Sequence, residues 1–208
     1  MFEKLRKRLS GKESKRQQLA ALLMLVGSGL GLLASFVLSI ESLTLAKNSH
    51  VVLNCDLNAA MSCSAVANHW SAAPLGFPNS FIGMMTLPVM VTIAVALLAG
   101  AKFPKWFMWG AQLGAVAGLL FAGWMFYMSY VEIGALCPWC LTLDAGMLLI
   151  FYGLTRHNIL NKIIEHRGLR QFVDKGYDTL VLASVAALVI ICQRSEERRV
   201  GKECRSRW

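Results

Sequence analysis

Two cysteine pairs carry the chemistry open to this chain. Cys55 and Cys63 flank the segment Asp56-Leu-Asn-Ala-Ala-Met-Ser62, and Cys137-Pro-Trp-Cys140 opens a long apolar stretch. A CxxC pair at a helix N-terminus can hold a reactive thiolate, because unpaired N–H groups and the helix dipole favour negative charge there. Pro138 suits the first turn of such a helix, where an N–H is dispensable. A second dithiol on the same side of a membrane would give the pair a couple with which to exchange electrons. The pattern therefore points to an electron relay. The competing chemistry is a metal, since four thiolates would complete a zinc site and make the chain a zinc-binding membrane scaffold or transporter. Dithiols outside the cytoplasm oxidise readily, so the relay is the preferred reading and no metal is expected. Covalent haem attachment would need a His directly after the CxxC, and Leu141 stands there.

The elements that must position these cysteines are apolar. The chain has 208 residues, 56% hydrophobic and only 16% charged, against about 25% charged in a soluble domain. The apolar residues come in blocks long enough to cross a hydrocarbon core of about 30 Å, which makes this an all-α polytopic membrane protein. Helices are expected over about 19–40, 80–101, 106–131 and 136–155, with a shorter fifth transmembrane helix over 178–193. The first block follows a basic N-terminus (1–18) and is too long for a secretory h-region, so it is expected to stay as a helix.

Basic residues set the expected orientation. Lys4, Arg6, Lys7, Arg8, Lys12, Lys15 and Arg16 precede the first block, whereas the loop 41–79 carries Lys47 alone. Lys102 and Lys105 lie in the next connection, and Arg156, Lys162, Arg167, Arg170 and Lys175 lie in 156–177. By the positive-inside rule the N-terminus, 102–105 and 156–177 face the cytoplasm of a cell membrane. All four cysteines of the two pairs then fall on the extracytoplasmic side, where disulfides persist. The net charge of +9 is largely this anchoring pattern and does not indicate nucleic-acid binding. The tail 194–208 holds six basic and three acidic residues without a hydrophobic period. It reads as foreign to the natural protein or as a solvated end, and neither its Cys204 nor the apolar Cys192 is assigned a function.

Further candidates lie near the pairs. Pro78-Asn79-Ser80 reads as a turn and N-cap for the second long helix, and Asn79 could also point its amide at a ligand near the membrane surface. Asp144 is the one acid well inside a block, where acids are costly, interior-facing and often functional. It lies one turn beyond Cys140 on the same face and is expected either to relay protons or to pair with Gln112 or Ser129. Trp139, between the active cysteines, could cover a bound ring or serve as an interfacial anchor. Gly110, Gly114 and Gly118 read as a close helix-packing face.

Taken in order, Cys55-Asp-x6-Cys63-Ser, Trp70, Gly76-Phe-Pro-Asn79-Ser80-x2-Gly83 and Cys137-Pro-Trp-Cys140 resemble the vitamin K epoxide reductase family, specifically bacterial members without a fused thioredoxin domain. The resemblance covers roughly 19–155. It implies a four-helix bundle around a quinone (menaquinone or ubiquinone), here with the fifth helix added. It also implies that the protein reoxidises a secreted DsbA-like partner of thioredoxin fold and passes the electrons to membrane quinone; true vitamin K epoxide reduction is the alternative within the family. On this resemblance Cys137 and Cys140 are the active-site pair, Cys140 nearest the quinone. Cys55 and Cys63 are the loop shuttle pair, Cys55 exchanging with the partner and Cys63 with Cys137, and Asn79 hydrogen-bonds the quinone carbonyl. Two positions depart from the family pattern. His69 stands where the family usually has Ser or Thr, and Asp144 stands where some animal members have a tyrosine. The separate DsbB type does the same work with its pairs in the opposite order.

Overall fold

The computed structural model describes residues 12–48, 51, 53, 55, 56, 61–161, 163, 164, 183 and 187. Four described helices are long and apolar enough to cross a membrane, which makes the protein all-α and polytopic. They are α1 (Lys12–Lys47), α3 (Ser80–Leu98), α4 (Lys105–Tyr127) and α5 (Pro138–Leu160). A short helix α2 (Cys63–Ala67) and a 3₁₀ turn (Trp70–Ala72) lie in the connection between α1 and α3. Apart from 183 and 187, the fifth helix expected at 178–193 lies outside the described residues, as do the tail 194–208 and most of the connection 156–177.

Helix α1 runs past both ends of its apolar block. Its flanks are rich in Lys, Glu, Gln, Leu and Ala, all good helix formers. Three of its hydroxyls bond back to the helix, Ser28 Oγ donating to Met24 O, Ser39 Oγ to Ser35 O and Thr44 Oγ1 to Ile40 O, whereas Ser35 Oγ is buried without a partner among the described residues. The extension carries Glu41 and Leu45 up to the loop that holds Cys55 and Cys63.

The bundle is held most closely between α1 and α5. A Cβ added at Gly146 would lie 2.6 Å from Gly27 O, and one at Gly153 would lie 2.6 Å from Ala20 O. Only glycine lets these backbones approach so far. Ala20 and Ala34, seven residues either side of Gly27, are fully buried on the same face. This corrects the expectation for Gly110, Gly114 and Gly118. Among the described residues nothing lies within 4 Å of a Cβ at Gly110 or Gly114, and only the Met147 side chain meets one at Gly118. Gly110 and Gly114 are exposed, away from the buried side of α4, which presents Met108, Gln112 and Ala115, and Gly118 alone of the three touches α5. Helices α4 and α5 are joined instead by a polar bridge: Gln112 Nε2 donates to Thr155 Oγ1 at 2.9 Å, and Asn158 Nδ2 donates to Gln112 Oε1 at 2.9 Å.

Beyond Tyr127 the helix widens into a π turn (Met128–Ile133). Gly134 then takes a left-handed conformation, φ 67°, which ends the helix and turns the chain back toward Leu136. This reversal delivers Cys137 to the head of α5.

Candidate active site

The loop between α1 and α3 is fixed by hydrogen bonds that also align its cysteines. Ser62 caps α2, accepting from Ala65 N–H at 3.2 Å, so Cys63 is the first residue of that helix. Asp56 accepts from Leu53 N–H (2.9 Å), Ser62 Oγ (2.8 Å) and Ser64 N–H (3.0 Å). Burial alone would raise the pKa of this carboxyl, but the donors from Ser64, Ser62 and Leu53 outweigh it and bring it to about 2. Asp56 thus draws the two ends of the Cys55–Cys63 segment together, a role its place beside Cys55 did not announce. The loop is then tied to the approach of α5: Ser62 N–H donates to Leu136 O at 3.0 Å, and Met61 and Leu136 form a parallel bridge.

Cys55 and Cys63 form a disulfide, and Cys137 and Cys140 are free. Cys137 is the N-cap of α5, and its Sγ accepts from the Cys140 N–H at 3.4 Å. The same sulfur lies 3.2 Å from Cys63 Sγ. A hydrogen bond from the Cys140 thiol is the main influence on Cys137 and lowers its pKa; burial opposes this, and the N–H groups of Cys140 and Trp139 reinforce it. Cys55, Cys63 and Cys137 are buried together with Leu45, Leu53 and Val66, and Leu38 and Trp139 pack against the cluster. Water is excluded from three sulfurs in series, and Cys140 continues the series to the other side.

On that side a crevice is lined by Met125, Phe126, Ser129, Cys137, Cys140 and Asp144, among others. Asp144 therefore shares a wall with Cys140, as its spacing implied, while Gln112, one of its expected partners, is engaged with Thr155 and Asn158. Trp139 packs toward the loop cysteines and is not among the crevice residues. Asn79 occupies the N-cap position of α3 without using its side chain as a cap. Its Nδ2 donates to Ser71 O at 2.7 Å and reaches Met125 Sδ at 3.5 Å, and its Oδ1 is buried without a hydrogen-bond partner. Ser80 Oγ lies 3.0 Å from Ser39 Oγ, whose own hydrogen goes to Ser35 O, so Ser80 donates and links α3 to α1. His69 caps the 3₁₀ turn through Ser71 and takes no part in the sulfur cluster.

Glu41 was not singled out from the sequence. Its Oε1 lies 3.1 Å from Cys55 Sγ, and its Oε2 is buried without a hydrogen-bond partner among the described residues. The signal was its register: Leu38, Glu41 and Leu45 are three and four residues apart, one helix face, and the two leucines pack on the cysteine cluster. Glu41, Cys55 and Cys63 present possible metal-ligand atoms within 4.8 Å of one another. Two of the three are bonded to each other in this oxidised form.

The profile of the vitamin K epoxide reductase family matches residues 22–154, from early in α1 almost to the end of α5 and more than half of the chain. No curated protein matches it.

Proposed function

Because the chain belongs to the vitamin K epoxide reductase family, we propose that it is a membrane thiol–quinone oxidoreductase that reoxidises a secreted DsbA-like partner. The observation that carries this reading is the 3.2 Å approach of Cys137 Sγ to Cys63 Sγ while Cys63 is bonded to Cys55. A thiolate attacks a disulfide sulfur directly, so contact between the two couples is what an exchange needs.

The partner's thiolate attacks Cys55, and the partner's second thiol then releases Cys55, leaving the loop pair reduced. Cys63 attacks Cys137 of an oxidised 137–140 pair and releases Cys140. Cys55 then attacks Cys63, which restores the loop disulfide and frees Cys137 as a thiolate. The hydrogen bonds that stabilise the Cys137 thiolate make it a good leaving group in this last step.

The crevice beside Cys140 is where a quinone would reach the sulfurs, and it must widen to admit one. Met125 and Phe126 supply apolar walls and Cys140 stands at one edge; Asn79 is not one of the crevice residues but touches Met125 from behind. Its second amide hydrogen meets only a thioether, a weak acceptor, and is free to turn to a carbonyl. A quinone held there supplies a two-electron, two-proton acceptor. Asp144, on the same wall, is the chain's group for exchanging protons at that position. The distribution of Lys and Arg supports an extracytoplasmic sulfur cluster in the cell membrane.

The test is oxygen-free mixing of detergent-solubilised protein with a quinone and a reduced DsbA-like protein, following quinol. Cys55→Ser should lose quinol formation driven by the protein partner and keep that driven by a small dithiol, which can reach the inner pair directly. Equal loss of both activities would contradict the assigned order.

A further inference from the structure

We propose that Glu41 is the proton acceptor that activates the Cys55 thiol when the loop disulfide closes, and the donor that reprotonates Cys55 when it opens. This rests on the relay just described and adds a catalytic residue to it. The observation is the 3.1 Å separation of Glu41 Oε1 from Cys55 Sγ, with Oε2 buried and lacking a hydrogen-bond partner among the described residues. In the disulfide, Cys55 has no proton to donate, so the contact becomes a hydrogen bond only after reduction. The carboxyl therefore waits beside a sulfur that acquires a proton once in each cycle.

Cys55 is only 7% exposed, and solvent has poor access to take that proton. Asp56 cannot serve, because its oxygens already accept from Leu53, Ser62 and Ser64. Among the described residues, the titratable groups within electrostatic reach of Glu41, besides Cys55, are Asp56 on the loop and Cys137 and Cys140 at the head of α5.

The step balances. At closure, the Cys55 proton passes to Glu41 Oε1 and the sulfur attacks Cys63 of the 63–137 mixed disulfide. The 55–63 bond forms, the 63–137 bond breaks, and Cys137 leaves as a thiolate. Cys55 is oxidised and Cys137 reduced. When the partner's second thiolate later displaces Cys55 from the mixed disulfide between them, the proton on Glu41 returns to the departing sulfur. Glu41 is then ionised and ready for the next closure.

Fully reduced protein mixed with excess soluble quinone, without oxygen, should give quinol in two phases. The first reports oxidation of Cys137 and Cys140. The second requires the loop pair to close and re-reduce them. Glu41→Gln should leave the first phase unchanged and slow the second by about a hundredfold near neutral pH, the low end of general base catalysis. In this variant the second phase should speed up with rising pH, whereas in the native protein it stays level. Acid quenching and peptide mass should show the 55–63 disulfide appearing with the same delay, and Glu41→Asp should restore most of the rate. If both phases and their pH profiles match the native protein, Glu41 has no such role while the relay stands. Loss of both phases in Glu41→Gln would assign it to the fold and overturn the proposal. Absence of quinol in the native protein would instead refute the relay.

Discussion

Cys137 Sγ lies 3.2 Å from Cys63 Sγ, and Cys63 is at the same time bonded to Cys55. The two sulfurs belong to elements far apart in sequence, and neither element would bring them together alone. The contact depends on the Ser62 hydrogen bond to Leu136 and on the left-handed turn at Gly134. It also depends on Cys63 and Cys137 both standing at helix starts, where the side chain clears its own helix.

That contact predicts which cross-link an incomplete relay will accumulate. Replacing Cys55 with Ser leaves Cys63 as a thiol against Cys137, and mild oxidation should trap a 63–137 disulfide in high yield. Replacing Cys63 instead removes the sulfur that lies 3.2 Å from Cys137 and should give much less cross-link between loop and α5. Peptide mass under non-reducing conditions reads both. A 55–137 bond in comparable yield would mean that the order of sulfurs is not as described.

Asp56 makes the loop sensitive to acid. Its pKa of about 2 lies below the ordinary carboxylate value of about 4. A depressed folded-state pKa contributes stability that is fully present above the ordinary value and is lost as the pH falls through the folded one. Between about pH 4 and pH 2 the loop should therefore loosen, and a phosphine reductant, which works in acid, should open the 55–63 bond several times faster relative to a model disulfide. Asp56→Asn should show the fast rate already at neutral pH and lose this dependence. A variant with the native acid profile would remove Asp56 from the loop's stability.

Much of this was open to reading in the sequence, for identifiable reasons. Uncharged blocks of spanning length mark transmembrane helices because lipid leaves the backbone no alternative partner, and α3 and α4 start at or next to the expected positions. The cysteines and Asp144 were visible because such residues are rare and costly in an apolar chain. Glu41 was hidden, since it follows an apolar block and reads as its polar end; only the helix's continuation to Lys47 brings it to Cys55. The packing glycines were also misplaced. Regular spacing at 110, 114 and 118 is a property of one helix, whereas closeness between Gly27 and Gly146 is a property of two.

The α1–α5 approach should respond sharply to a single methyl group. Gly146→Ala places its Cβ against Gly27 O, where an unmoved backbone leaves 2.6 Å, so the helices must separate. Overpacking of this kind costs about 1–3 kcal/mol and should lower the midpoint of thermal unfolding in detergent. Gly114→Ala has open space around it and should be neutral or slightly stabilising through helix propensity. Equal effects at the two sites would show that α1 and α5 do not pack as closely as described.

Asp144 shares the crevice wall with Cys140, and on the proposed reading proton exchange there can be separated by experiment from electron transfer. Gln112 is committed to Thr155 and Asn158, so the carboxyl is not held in place by that side chain. Asp144→Asn keeps the volume and a hydrogen-bonding capacity while removing an exchangeable acid. The variant should still form the 137–140 disulfide with a small disulfide oxidant, which leaves its protons elsewhere. Quinol formation, which needs two protons delivered in the crevice, should slow by about a hundredfold and change its dependence on pH. Asp144→Glu should recover part of the rate, because the acid returns though its reach differs. A purely structural Asp144 would instead weaken both reactions together, and unchanged turnover across the pH range would leave the carboxyl outside the chemistry altogether.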